Sequence, residues 1–191
     1  MHNYQLHPCS LFVALSLITT LSCNQPPAPP SSDILSECPE LTQRDRDDLL
    51  ACADRFMADW HAASAAGDAE KYFGSMPAAG RWIGTDATEN WDRAGIADYG
   101  RDAFAKGRGW AFKTLERNLY TNETGTVVWF DELLDTAMGV CRGSGVLTPA
   151  GQDFDVQHYV FSVTVPNDFV NETIQRKAAA DSTLIATFKD F

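Results

Sequence analysis

The sequence predicts an α+β domain, and three observations carry that expectation. Helical periodicity runs over about residues 42–66, near the start of the charged part of the chain. Four apolar-rich runs, at 110–120, 126–136, 140–148 and 154–165, come later with short turn signals between them. Hydrophobic residues are 45% and aromatic residues 11% of the 191 positions, enough to build a core. Helices first, then strands with short links, is the order of helices laid on one face of an antiparallel sheet.

At the N-terminus, residues 1–22 contain no Asp, Glu, Lys or Arg, so the net charge of −11 lies entirely on residues 23–191. Within this uncharged segment, Leu11–Ile18 opens an apolar stretch ending at Leu21-Ser22-Cys23. It is too short to span a bilayer and has the length of a secretory signal core. Thr20-Leu21-Ser22 before Cys23 resembles a bacterial lipobox. That resemblance implies export, lipidation of Cys23, and a periplasmic or outer-membrane-anchored product whose one membrane contact is the lipid. The alternative is an ordinary signal peptide cut nearby. Residues 23–40 read as a tether, because Pro26, Pro27, Pro29 and Pro30 favour an extended spacer. The domain is expected over 41–180, with 181–191 as a tail.

Leu49, Ala53, Phe56, Met57 and Trp60 form one apolar stripe on the first helix. Thr42 with Asp45 reads as a capping box and Gly67 as a C-terminal stop. His61, next to Trp60, reads as a surface residue. A short helix is expected at 68–75 and a short strand at 80–85. Asp92 caps a third helix carrying Ile96, Tyr99, Ala103 and Phe104 on one face. The four runs then form a meander, and a helical segment is expected over about 168–180.

Charge and cysteine use exclude several functions. An excess of 26 Asp and Glu over 15 Lys and Arg argues against nucleic acid or an anionic membrane surface as main partner. Cys9 would leave with the signal. Cys38, Cys52 and Cys141 then remain beside Cys23, and spacing selects no pair among the three. No Cys-x-x-Cys or His/Cys cluster suggests a metal site. No Gly-x-Ser-x-Gly, phosphate loop or His-Glu-x-x-His occurs.

Four stretches carry a family resemblance. They are Trp82-Ile83-Gly84-Thr85-Asp86-Ala87-Thr88-Glu89-x-Trp91, Lys106-Gly107-x-Gly109-Trp110, the pair Trp129–Leu134 and Cys141–Leu147, and Tyr159–Asp168. Together they resemble the SnoaL-like branch of the nuclear transport factor 2 (NTF2-like) superfamily. One departure is Phe154-Asp155-Val156, where relatives often carry Trp-Lys-Ile. The resemblance implies a cone-shaped half-barrel: a strongly bent antiparallel sheet wrapped around three helices, with an internal pocket and no cofactor. It also implies a homodimer formed through the outer sheet face. The superfamily contains isomerases, dehydratases, cyclases and non-catalytic binding modules, so the fold alone names no activity.

Turn centres near Glu123, between Thr136 and Ala137, and near Ala150 predict a polar row on the sheet. Arg117 then opposes Trp129, Asp131 opposes Arg142, and Arg142 opposes His158, with Ser144 at the flank. A one-residue slip would instead bring Glu132 opposite Arg142. As catalysts, Asp131 or His158 would move a proton while Arg142 holds an anionic oxygen. As a binding site, Arg142, Trp129, Arg117, Ser144, Trp82 and Asp86 would contact a small, partly apolar molecule. As structure, the row would be an ion pair fixing strand register, and Asp86 would organise a turn. Trp82, Trp91, Trp110 and Trp129 either line a pocket or pack the core. Gly143 and Gly145, inside a strand, mark close backbone packing. Three functions stay open: a binding module, a cofactor-independent isomerase, dehydratase or hydrolase, and an interaction domain with a vestigial pocket.

Overall fold

A computed structural model describes residues 42–188; the signal, Cys23, the tether and Cys38 lie outside the described residues. Helix α1 is Gln43–Ala66. Thr42 caps it reciprocally with Asp45, and Gly67 ends it with φ 71° in the left-handed region. Its buried stripe is Ala53, Met57, Trp60, His61, Ala63 and Ser64. Leu49 and Phe56 are only partly buried, so the stripe is turned towards His61 relative to the expected one. Helix α2 (Ala69–Gly74) is capped by Asp68 and buries Tyr72 and Phe73. Helix α3 (Arg93–Ala105) is capped by Asp92 and buries Ile96 and Phe104.

Six strands form one sheet. They are β1 (Arg81–Ile83), β2 (Asn90–Trp91), β3 (Lys113–Thr121), β4 (Val128–Thr136), β5 (Gly139–Ala150) and β6 (Asp153–Val163), in the order β2-β1-β6-β5-β4-β3. Strands β3 to β6 are the predicted meander. Strand β1 joins β6 in parallel and β2 pairs with β1, which sequence periodicity does not indicate. A short 3-10 turn at Asn167–Phe169 leads into helix α4 (Val170–Ala186), which extends past the expected end near residue 180 and buries no side chain.

Alternation places two sets of side chains on the sheet. Val128, Phe130, Glu132 and Leu134 of β4, Cys141 and Leu147 of β5, and Val156, Tyr159 and Phe161 of β6 are buried against the helices. The facing core is Trp60 and Met57 of α1, Tyr72 of α2 and Phe104 of α3. Trp60 stacks on Tyr72 at 4.4 Å between ring centroids and donates its indole N–H to the Tyr72 carbonyl at 2.8 Å. A β-bulge between Val146 and Leu147 inserts Gln157, so Val156 and Tyr159 both point inwards while His158 points out.

The observed register corrects the expected polar row. Asp131 opposes Ser144, not Arg142; Arg142 opposes Ser162, not His158; His158 opposes Val146; and Arg117 opposes Glu132, not Trp129. Each turn centre lies about one to two residues further along the chain than the sequence suggests. For β3–β4 the shift in pairing is an odd number of residues, which moves Arg117 to the other face of the sheet.

Candidate functional site

Two features lie close together, a sealed polar cluster and an open aromatic cavity. The cluster is centred on Glu132, whose side chain is fully buried. Gly143 sits opposite Glu132 in the register, and a Cβ there would lie 2.6 Å from both Glu132 Oε1 and the Tyr159 hydroxyl. The missing side chain is therefore the space in which these two groups meet, which gives the strand glycine its close-packing role.

Each oxygen of Glu132 is occupied. Oε1 accepts a hydrogen bond from Tyr159 at 3.0 Å and lies 2.9 Å from His61 Nε2. Oε2 accepts from Arg117 Nε at 2.9 Å, with Nη2 also at 2.9 Å. Arg117 continues to α1, where Nη1 donates to Asp54 Oδ1 at 2.8 Å and to its carbonyl at 3.1 Å. Burial pushes the Glu132 carboxyl up, but the hydrogen bond and charge of His61, then those of Arg117, outweigh it and hold it below the usual range. Tyr159 and Tyr72 are pushed up, first by burial and also by the Glu132 charge, so both keep their protons; Tyr159 donates to Glu132, while the Tyr72 hydroxyl accepts from Trp82 Nε1 at 3.2 Å. Among the described residues, His61 Nδ1 is buried without a hydrogen-bond partner.

The cavity, about 310 Å³, opens beside this cluster. Trp82 of β1, Trp91 of β2, Tyr99 of α3, and Trp110, Phe112 and Phe161 supply its aromatic wall, Ala137 and Met138 one rim, and Thr85 and Glu89 its polar groups. Trp91, Tyr99 and Trp110 form a ladder, with Tyr99 stacked at 4.7 Å on Trp91 and at 6.2 Å on Trp110. Phe112 faces the cavity and meets the His61 ring edge-on at 5.4 Å; Trp82, tilted, meets Tyr159 at 5.8 Å. One layer of rings thus separates cavity from cluster. Glu89 reaches the cavity because Gly84 leaves room for its carboxylate, which also accepts the Asp86 N–H at 3.1 Å.

The predicted site residues divide among several places. Trp82 lines the cavity, and Arg117 belongs to the buried cluster. Asp86 organises its turn, accepting from Thr88 N at 2.9 Å and Thr88 Oγ1 at 2.6 Å, and these bonds lower its pKa. Trp129, Asp131, Arg142, Ser144 and His158 stand on the outer sheet face. There Trp129 stacks on Tyr120 at 6.1 Å, and Arg142 lies 3.7 Å from Asp131 in an exposed pair. His158 is about 13 Å along the sheet from Arg142, four residues of strand away.

His61 is not the surface residue that its place beside Trp60 suggests. It is 3% exposed. Its position four after Met57 and eight after Ala53 puts it on the buried stripe, a signal present in the sequence. Glu132 alternates with Phe130 and Leu134, which equally marks it as inward-facing.

A model of the SnoaL-like domain matches residues 54–166. The chain belongs to the SnoaL-like family. Solved structures agree on the fold of this SnoaL-like domain. An NTF2-like protein of unknown function from Pseudomonas putida is 10% identical, with 66% of this chain and 92% of that one covered at a TM-score of 0.50. A protein of unknown function from the DUF3225 family of Pectobacterium atrosepticum is 11% identical, with 66% and 100% covered at a TM-score of 0.51. A comparison with curated proteins finds no match.

Proposed function

We propose that this SnoaL-like domain is a binding module for a small, flat, partly apolar molecule. The aromatic ladder of Trp91, Tyr99 and Trp110 carries the reading. It offers a planar ligand ring faces, while Glu89 and Thr85 offer hydrogen bonds at the edge, and a volume of about 310 Å³ is at the small end of ligand sites. Native mass spectrometry of the purified protein is the first test, with a co-purifying small molecule expected. Tyr99 is largely exposed, so Tyr99→Ala leaves the fold intact. It should weaken binding of that molecule at least about tenfold, the loss of roughly one stacking contact. Unchanged affinity would refute the placement.

A second reading is favoured by the buried cluster. In a cofactor-independent isomerase, dehydratase or hydrolase, Glu132 would be the proton acceptor and Tyr159 the donor, with His61 and Arg117 holding the carboxylate ionised. Substrate would have to part the Phe112–Phe161 pair, whose centroids are 4.8 Å apart. Turnover of the co-purifying molecule, lost in Glu132→Gln while binding persists, separates this reading from the first.

We also infer export and lipid anchoring from residues 1–23, tested by fractionation and lipid labelling of Cys23→Ser. Pairing of two copies through the outer sheet face is inferred from its exposed Tyr120, Trp129 and Val140.

A further inference from the structure

Glu89 brings a negative charge to the aromatic cavity, and the loop that carries it is tied by its own backbone. Gly84 N–H donates to the Glu89 carbonyl and Glu89 N–H to the Asp86 carbonyl, both at 3.0 Å. Glu89 lies two residues before Trp91, and strand alternation gives the two side chains one face. A Cβ at Gly84 would collide with the Glu89 carboxylate, and the Asp86 N–H holds its Oε2 at 3.1 Å. The half-buried carboxylate is therefore fixed where it lines the cavity. Among the described residues, no Lys, Arg or His pairs with Glu89 or lines this cavity, and Oε1 accepts no hydrogen bond.

The rings beside it close a circuit. Trp82 and Trp91, partners in the β1–β2 register, have centroids 6.0 Å apart. Trp91 stacks on Tyr99 at 4.7 Å, Tyr99 on Trp110 at 6.2 Å, and Trp110 returns to Trp82 at 5.6 Å. The Trp82 N–H is committed to the Tyr72 hydroxyl at 3.2 Å, so this indole offers a ligand its π-system and no donor. Aromatic faces carry negative partial charge. Rings and carboxylate thus attract the same sign, and both repel an anion. A bound cation would also replace the water that half-burial takes from Glu89.

We propose that the ligand of this cavity is an organic cation, a flat molecule bearing an alkylated ammonium that Glu89 neutralises and the rings cover. This deepens, and rests on, the reading of the cavity as a small-molecule site. Alkylation follows from the lining. A primary ammonium has three strongly hydrated N–H groups, and the side chains here offer acceptors only at Glu89, Thr85 and Tyr99. An alkylated ammonium presents C–H groups to ring faces and needs fewer acceptors. The net charge of −11 draws such a ligand from a distance.

The probes are meta-hydroxyphenyltrimethylammonium and meta-tert-butylphenol, which share a ring and a shape and differ by a charged nitrogen in place of a carbon. Each is titrated calorimetrically, at low salt, into the purified full-length protein. The cation should bind at least about tenfold tighter than the phenol. Glu89→Gln keeps an acceptor for the Asp86 N–H and removes the charge. It should weaken the cation about tenfold and leave the phenol within about twofold. Gly84→Ala keeps the charge but displaces the carboxylate, and should weaken the cation alone. Tyr99→Ala should weaken both probes, because it removes a ring that either one covers. Equal affinities in the wild-type protein overturn the assignment of charge and leave the planar-ligand site standing, a comparison that needs no variant to fold. A cation indifferent to Glu89→Gln overturns it in the same way. A cation indifferent to Tyr99→Ala is bound elsewhere and overturns the placement. Binding of neither probe overturns the cation and the small-molecule site together.

Discussion

Replacing Glu132 by Gln tests the account of the buried cluster most directly. The carboxylate receives His61, Tyr159 and two nitrogens of Arg117, all within 3.0 Å. Gln keeps the shape but loses the charge, and its amide N–H2 must face groups that are themselves donors. Breaking a buried pair in this way costs about 3–5 kcal/mol. Arg117 keeps Asp54, at the solvent-facing side, so a value near the lower end, about 3 kcal/mol, is expected. For a domain of this size that is roughly 6–12 °C in melting temperature. The difference must also depend on pH. The native carboxyl titrates below its usual 4.5, so the folded state binds fewer protons than the unfolded state in this window. Its stabilisation is complete above the unfolded value and is lost as pH falls through the lowered native one. Urea melts of both proteins between pH 7 and pH 3 are the assay. The gap should be full at pH 7 and shrink below about pH 4.5. A gap under about 1 kcal/mol at pH 7, or one that does not change with pH, would refute the description of Glu132 as a buried, ionised hub.

Four further outcomes are expected. Gly143→Ala should destabilise by about 1–3 kcal/mol in urea melts, because its Cβ enters the space between Glu132 and Tyr159. Tyr159→Phe should cost about 1–2 kcal/mol, since one of the bonds to the carboxylate is lost while the others remain. Asp131→Ala should change stability by less than about 1 kcal/mol, the value of an exposed pair, and a much larger loss would show that the outer-face pair matters more than its exposure indicates. Trp129→Glu should leave the fold intact but shift sedimentation towards the monomer where two copies pair through the outer sheet face.

Much of the architecture is legible in the sequence because it rests on local signals. The Thr42–Asp45 box and Gly67 bound α1, Asp92 starts α3, and the short turns dictate a meander. Strand pairing is harder to read. Turn centres placed about one to two residues too early displace the partner of Arg117 from Glu132 to Trp129, and bulges near Leu115 and Gln157 break simple counting. The parallel contact between β1 and β6 joins residues nearly eighty positions apart, and no local pattern encodes it. The aromatic wall is half legible. Trp82, Trp91 and Trp110 reach the cavity, but the alternation that sends Phe130 inwards sends Trp129 out.

Among the described residues, strand β3 has a neighbour on one side only, and its side chains are exposed or half-buried. Arg117 grips Glu132 on β4 with one side of its guanidinium and Asp54 on α1 with the other. A single cation therefore rivets an otherwise lightly held edge to the body of the domain. In wild-type protein the β3 amides that bond to β4 should exchange only when β4 also opens. Without the rivet, the edge strand becomes a separate unit that peels first, exposing an unpaired row of backbone groups to other chains.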